Sequence, residues 1–548
     1  MMKSIFNWLR VRENLFFALL ILLHLIPIWT VHYFPSLDGP SHIYQASVLR
    51  EYNFPERSVF REYYLLDINP VPNWFSHLAL AGLMYFVPPL IAEKILLSGY
   101  VILLPLSVRY ALQAIRPDSV FLALLAFPFI YNLLLHMGFY NFCYSLPMFF
   151  LVLGYWIKYQ NQFNFSSCMT LSLLSILLYF CHIVSLVMAY IAIATLVVWL
   201  TLIDLNQQIR QQQVNLRTLG KAFQRRVMLP CFAFVPTIIL VMMFLGREEA
   251  SQYDQVWFTP VWKRLFEFII LTSIVSYEKL GLIFSTGLVT LLVTIVLYVL
   301  KQKLVRRRLN YWDGLFLIFV SYLILYFIIP DALSGGGNMS NRLRLYPFFV
   351  IILWLGAQSY QNIVKLRIKV IAIVIAVSLL GINTIKYAEI NNYLEEYTAV
   401  SHIIEENKTI LPITFTSGGY TPDGQFLSWR IPAFYHAANY IAVEKHLVNL
   451  TNFHATKDYF PIRFRPHLNP YDQMGFKDNI DGTPPPVDFM TYSERTGGEV
   501  DYVLLWGLRE EQRTHENTQS IFRQLQTRYE LIYTSTPRGF MELYRRYD

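Results

Sequence analysis

The sequence predicts a polytopic α-helical membrane protein of about eleven spans, followed by a soluble α/β domain. Three observations carry this reading. Apolar runs of about twenty residues, the length that crosses a bilayer, recur between residues 14 and 388. Of the 548 residues, 55% are hydrophobic and 15% charged, against about 25% charged in soluble domains. From about residue 389 the apolar runs stop, and short strand-like and helix-like segments separated by polar turns replace them.

Lys3, Arg10 and Arg12 precede the first run, and the residues after it, Val31-His32-Tyr33-Phe34-Pro35, offer no small-residue cleavage site. The segment reads as an uncleaved signal anchor. Spans are expected near 14–34, 91–113, 118–136, 139–158, 166–183, 184–203, 227–246, 280–300, 314–330, 346–361 and 369–388. The apolar stretch 75–88 is shorter and ends at Pro88-Pro89. If it does not cross, Arg109, Arg116, Lys158, the cluster from Arg210 to Arg226, the cluster from Lys301 to Arg308, and Lys365, Arg367 and Lys369 share a side with the N-terminus. If it crosses, the two largest clusters change sides. The positive-inside rule selects the first arrangement and makes 75–88 a half-inserted or interfacial helix. The expected protein is therefore multi-pass in an inner (plasma) membrane. Its N-terminus is cytoplasmic, and the 35–90 loop and the tail lie on the outer, periplasmic or extracellular face.

The net charge of +8 is spread over these short clusters rather than gathered in one patch, which argues against nucleic acid as a partner. Cys143, Cys168, Cys181 and Cys231 all sit in apolar runs, so the tail holds neither a disulfide framework nor a cysteine zinc site. No internal repeat or inverted pair of broken spans is visible, which weighs against a transporter. The division is a transmembrane domain over 1–388 and a soluble domain over 389–548. In the latter, 410–415 and 502–506 read as strands, 515–528 as a helix, and 529–533 with 540–544 as a hairpin across Pro537-Arg538-Gly539. The Pro-, Gly- and Asp-rich stretch 466–498 reads as a long loop.

Chemistry is expected at the end of the first span, in Ser36-Leu37-Asp38-Gly39-Pro40-Ser41-His42. A carboxylate at a membrane interface is a functional suspect, and an aspartate of ordinary pKa (about 3.9) is ionised at neutral pH and can accept a proton. Asp38 is the expected general base or a metal ligand. The bland alternative is a helix N-cap before Gly39-Pro40. His42, four residues on, could turn back to Asp38 as a base, metal ligand or orienting partner. His136, Tyr140, Asn141 and His182 fall at outer ends of spans and are expected to line the site. A divalent metal on Asp38 and His182 is a possible cofactor, although close ligand spacing is missing. Between two later spans lies Ser334-Gly335-Gly336-Gly337-Asn338-Met339-Ser340-Asn341-Arg342-Leu343-Arg344. Arginine on the outer face runs against the positive-inside trend. A guanidinium fork suits phosphate, so Arg342 and Arg344 are expected phosphate ligands; the alternatives are snorkelling or pairing with Asp331. Glu248 and Glu249 could assist a metal, but such residues are more often solvated loop charges.

Asp38 directly after the first span, the stretch from Asn69-Pro70 to Pro89 before the second, and Arg342-Leu343-Arg344-Leu345-Tyr346-Pro347 entering a later span resemble the multi-span GT-C glycosyltransferases. That class includes protein O-mannosyltransferases and the aminoarabinose transferase of lipid A. The resemblance is architectural and covers about 14–388; where O-mannosyltransferases pair acidic residues in the first loop, here Gly39 follows Asp38. It implies an inverting transferase moving a sugar from a polyprenyl-phosphate donor to a lipid, glycan or protein acceptor, with membrane lipid around it. The rival functions are a transporter or flippase of lipid-linked sugars, and a non-catalytic component of an envelope polysaccharide complex.

Overall fold

The computed structural model describes residues 2–211, 220, 224–246, 256–306, 310–332, 337–416, 419–476 and 486–547. Glu248, Glu249, the start of the glycine-rich cluster (Ser334 to Gly336) and the middle of the 466–498 stretch lie outside them. Each of the eleven apolar runs forms helix, from Met2–Thr30 to Asn362–Thr398. Among the described residues, nine helices are long and apolar enough to span a bilayer. The other two are Phe165–Cys181, which is shorter, and Met339–Gly356, whose first turns carry Arg342 and Arg344. The span over Pro117–His136 is 94% buried and Tyr140–Tyr159 is 83% buried, whereas Gln224–Leu245 is 17% buried. The first two are therefore the centre of the bundle, and the third presents its apolar surface outward, as a helix in contact with lipid must.

Phe75–Leu83 is a helix of nine residues, about 14 Å long against a hydrocarbon core of about 30 Å. It does not span, as its length predicted. The last membrane helix, Asn362–Thr398, is 37 residues long, about 55 Å, so it is long enough to cross and to continue as a stalk into the tail.

The tail is built on a five-stranded sheet in the order β3-β2-β5-β7-β6. Its strands are β2 (Thr409–Thr414), β3 (Val448–Asn449), β5 (Tyr502–Trp506), β6 (Tyr529–Thr534) and β7 (Met541–Arg546). β2 is parallel to both β3 and β5, while β7 runs antiparallel to β5 and β6. β5 is buried along its whole length, which explains why it reads as an unbroken apolar run. The strands expected at 410–415 and 502–506, the helix (Glu516–Arg528) and the hairpin are all present. The 466–498 stretch is not simply a loop. It holds a helix, Phe489–Thr496, whose N-terminus is capped by Asp488 accepting from Thr491 N at 2.8 Å.

The loop after the first span belongs to the same body as the tail. β1 (Tyr64–Leu66) pairs antiparallel with β4 (Ile462–Phe464), joining Tyr64 to Phe464 and Leu66 to Ile462. In the loop's helix, Gly39–Glu51, eleven of the thirteen residues are buried, so it is a core element between bundle and tail. Tyr44 anchors it, donating to the Leu447 carbonyl at 2.8 Å and accepting from Asn449 N at 3.0 Å. At its far end the buried Glu51 accepts from His446 Nδ1 at 2.7 Å.

Candidate active site

The backbone before the Gly39–Glu51 helix is pinned to the turn between two central spans: Leu37 N donates to the His136 carbonyl at 2.9 Å and Asp38 N to the Met137 carbonyl at 3.2 Å. Gly138 makes this approach possible. It sits at φ +79°, and a Cβ there would lie 2.7 Å from the Asp38 carbonyl carbon and would clash with the Gly39 amide nitrogen. Gly39 is equally confined, since its Cβ would strike Ser36 Oγ, Tyr140 OH and Glu93. Asp38 occupies the N-cap position, but its side chain makes no capping hydrogen bond. Only its backbone carbonyl serves the helix, accepting from His42 N at 3.0 Å.

The carboxylate points instead toward the tail. Its Oδ1 is 3.5 Å from His436 Nε2 and its Oδ2 is 4.0 Å from His454 Nε2. The His42 ring faces His77, with Nδ1 2.9 Å from His77 Nε2, and packs beside His454 with ring centroids 4.9 Å apart. Two imidazoles of the tail thus flank the carboxylate, and His42 and His77 extend the cluster from His454. Burial pushes His77 and His436 down to about 4. Burial also holds His42 and His454 well below the ordinary histidine range, and neighbouring imidazoles add to the effect. All four are therefore neutral at pH 7, able to accept a proton or ligate a metal. Among the described residues, the group of three metal-capable side chains with ligand atoms within 4.8 Å of one another is His42, His77 and His454; Asp38 and His182 are not in it.

Arg342 approaches from the start of its helix, close enough to Asp38, Tyr459 and Tyr346 to interact electrostatically. Its guanidinium lies over Phe139 at 4.9 Å and Phe142 at 5.9 Å. Its Nε is buried without a hydrogen-bond partner, a donor held ready on an aromatic shelf. Arg344 has a different role. It is fully buried and paired with Glu267, and it donates through Nε to Tyr326 OH at 3.1 Å and through Nη1 to Ser273 Oγ at 3.1 Å and to Thr272 Oγ1. Its donors are committed to protein. The alternative pairing with Asp331 does not occur: Asp331 bonds Arg264 at 2.8 Å.

The four expected lining residues are each hydrogen-bonded to neighbouring elements. His136 uses one ring nitrogen on Ser276 Oγ at 2.7 Å and the other on Tyr387 OH, tying the central turn to the stalk helix. Tyr140 donates to Glu93 at 2.5 Å. Asn141 caps the short Phe75–Leu83 helix, accepting from Ser76 N at 2.7 Å and donating to the Asn73 carbonyl at 2.6 Å; it thereby sets His77. His182 accepts from Val184 N at 3.2 Å and lies near Arg342. Sequence reasoning missed His77, His436, His454 and Glu93. The available signal was weak: each histidine stands beside aromatic or apolar residues, as in Ser76-His77-Leu78, Tyr435-His436 and Phe453-His454, with no ligand spacing between them.

The chain is thus a multi-span protein with a bundle of spans, an acidic residue in the loop after the first span, a short non-spanning helix and an α/β domain after the last span. Among solved structures the chain is similar to the crystal structure of ArnT from Cupriavidus metallidurans bound to undecaprenyl phosphate, at a TM-score of 0.50, 10% identity and 97% coverage of each chain. ArnT is a lipid A aminoarabinose transferase. The apo structure of the same protein is matched at a TM-score of 0.48 and 9% identity, over 99% of this chain and 98% of that one. At this identity the likeness is one of fold. No protein-family model matches the chain, and no curated protein matches it.

Proposed function

We propose that this protein is a membrane glycosyltransferase that moves a sugar from a polyprenyl-phosphate donor to an acceptor hydroxyl at the outer face of the membrane. The observation that carries the reading is the Asp38 carboxylate. It is released from helix capping, held by the Gly138 turn, and lies within electrostatic reach of an arginine with an unpartnered donor. The fold shared with a protein crystallised with undecaprenyl phosphate supports the class of donor lipid.

In the proposed reaction Asp38 accepts the proton of the acceptor hydroxyl as that oxygen attacks the anomeric carbon. The bond from the anomeric carbon to the phosphate oxygen breaks, and its electron pair leaves with polyprenyl phosphate, inverting the anomeric centre. Arg342 stabilises the charge that grows on the departing phosphate. Arg344 holds the Arg342 helix and the 272–273 turn together. The aromatic shelf of Phe139 and Phe142 keeps water from the guanidinium. The tail, through His436 and His454, closes the site over the carboxylate.

The test is release of polyprenyl phosphate from a panel of polyprenyl-phosphate sugars by purified wild type and by Asp38→Asn. The expected result is product from wild type and a loss of about three orders of magnitude or more in the variant, the scale of a general base. Equal rates would remove Asp38 as the base. Movement of a labelled lipid across a vesicle without bond cleavage would replace the transferase with a flippase.

A further inference from the structure

We propose that His42, His77 and His454 form a three-histidine site for a divalent metal ion of the zinc type, which fastens the tail to the first outer loop. The inference rests on the geometry of the three rings and stands whether or not the transferase reading holds.

The rings come from the Gly39–Glu51 helix, the Phe75–Leu83 helix and the 3₁₀ turn Phe453–Thr456 of the tail. All three are buried, at 4%, 0% and 3% exposure, and one nitrogen from each lies within 4.8 Å of the others. His77 is oriented as a metal ligand is. His77 Nδ1 is 3.2 Å from the Asn73 carbonyl; a carbonyl can only accept, so the proton is on Nδ1 and the Nε2 lone pair is left for the site. That lone pair faces His42 Nδ1 at 2.9 Å. The Gly138 backbone lies close enough to the His42 ring to favour its protonated nitrogen. With His42 in its Nδ1–H tautomer the contact is an ordinary hydrogen bond to His77 Nε2; with the proton on His42 Nε2 two lone pairs face each other, an arrangement that a cation bound between them relieves. His454 adds a second sign: its Nδ1 is buried with no hydrogen-bond partner.

Carbonyl-held imidazoles of this kind are the usual second shell of a histidine-bound metal. Nitrogen ligands without thiolate or multiple carboxylates suit zinc and its neighbours rather than magnesium or calcium. Zinc–nitrogen bonds of about 2.0–2.1 Å in tetrahedral geometry put two ligand nitrogens about 3.3 Å apart, so the pair at 2.9 Å needs to open by a few tenths of an ångström. Phe460 packs on the cluster, stacked on His454 at 4.2 Å and edge-on to His77 at 5.4 Å, and shields it from water. Three protein ligands leave a fourth position open, as in reactive zinc sites, and Asp38 is the nearest acidic group on the His454 side.

The experiment is metal analysis of the full-length protein in detergent, stripped with chelator, reloaded with Zn²⁺ or Co²⁺ and desalted. Wild type is expected to retain about one metal per chain and, with Co²⁺, to show the visible absorption of a tetrahedral site. His77→Gln and His454→Gln are expected to bind at least about tenfold more weakly, while His402→Gln, at an exposed histidine of the tail, binds as wild type does. Metal is also expected to raise the melting temperature of wild type and not of the two variants. Wild type that retains no metal and gives no cobalt spectrum overturns the proposal, whatever the variants do. So does binding that survives both substitutions.

Discussion

Gly138→Ala is the most informative single change, because its consequence can be worked from distances. The new Cβ would sit 2.7 Å from the Asp38 carbonyl carbon and 2.8 Å from its nitrogen, in a residue at φ +79°. Those neighbours are backbone and cannot rotate aside. Moving the carbonyl carbon from 2.7 Å to an ordinary carbon contact of about 3.5 Å requires the Asp38 segment to retreat by about 0.8 Å. Misplacement of a catalytic group by about 1 Å lowers rate by about two orders of magnitude, equivalent to about 2.7 kcal/mol of barrier. Left-handed backbone in a non-glycine residue adds about 1–2 kcal/mol of destabilisation. The assay is donor cleavage at saturating donor, read beside the melting temperature and donor-lipid affinity. The expected result is a rate reduced about 100-fold, a modestly lower melting temperature, and affinity close to wild type because Arg342 is untouched. A variant with wild-type rate and melting temperature would refute the claim that this turn sets Asp38.

Three further expectations concern the arginines and the tail. Arg342→Ala should weaken binding of polyprenyl phosphate and slow its release while leaving the fold intact, and Arg342→Lys should restore only part of the loss because a point charge does not reproduce the fork; both are read by lipid affinity and turnover. Arg344→Ala should instead unfold the protein more easily, by about 3 kcal/mol or more, since it strands Glu267 and the hydroxyls it serves; a normal melting temperature with lost lipid affinity would reverse the two roles. His436, which burial holds down to about 4, titrates near 6.5 when unfolded. The unfolded state therefore binds the extra proton, and the stability contributed above about pH 6.5 is lost progressively as pH falls toward 4. His436→Gln should flatten that part of the melting-temperature profile.

The membrane architecture was legible because burial in lipid imposes length and composition on every span. Charge asymmetry then placed 75–88 among the non-spanning segments, and the short Phe75–Leu83 helix agrees with that reading. In the tail, β5 was readable because both of its faces are covered, and the Glu516–Arg528 helix because it is amphipathic. β1, β3 and β4 are two or three residues long and leave no periodicity to detect; they exist because a partner strand elsewhere accepts their hydrogen bonds.

The candidate site divides along the same line. Asp38 could be singled out because its distinguishing feature is local, a carboxylate at the end of a span. That its side chain does not cap the helix, that Arg342 keeps an unpartnered donor while Arg344 is consumed by Glu267, that His436 and His454 flank Asp38, and that His77 meets His42 and His454 were decided only in three dimensions. Arg342 and Arg344 are two residues apart on one helix and so leave in directions about 200° apart, toward different neighbours. Likewise, His42 and His454 are separated by more than four hundred positions and are brought together by the pairing of β1 with β4. The sequence by itself determined which segments enter the membrane and which acidic residue stands at its edge, because solvation acts on each segment separately. Tertiary structure decided what surrounds that residue, because side-chain contacts depend on the packing of segments that carry no mark of one another in the chain.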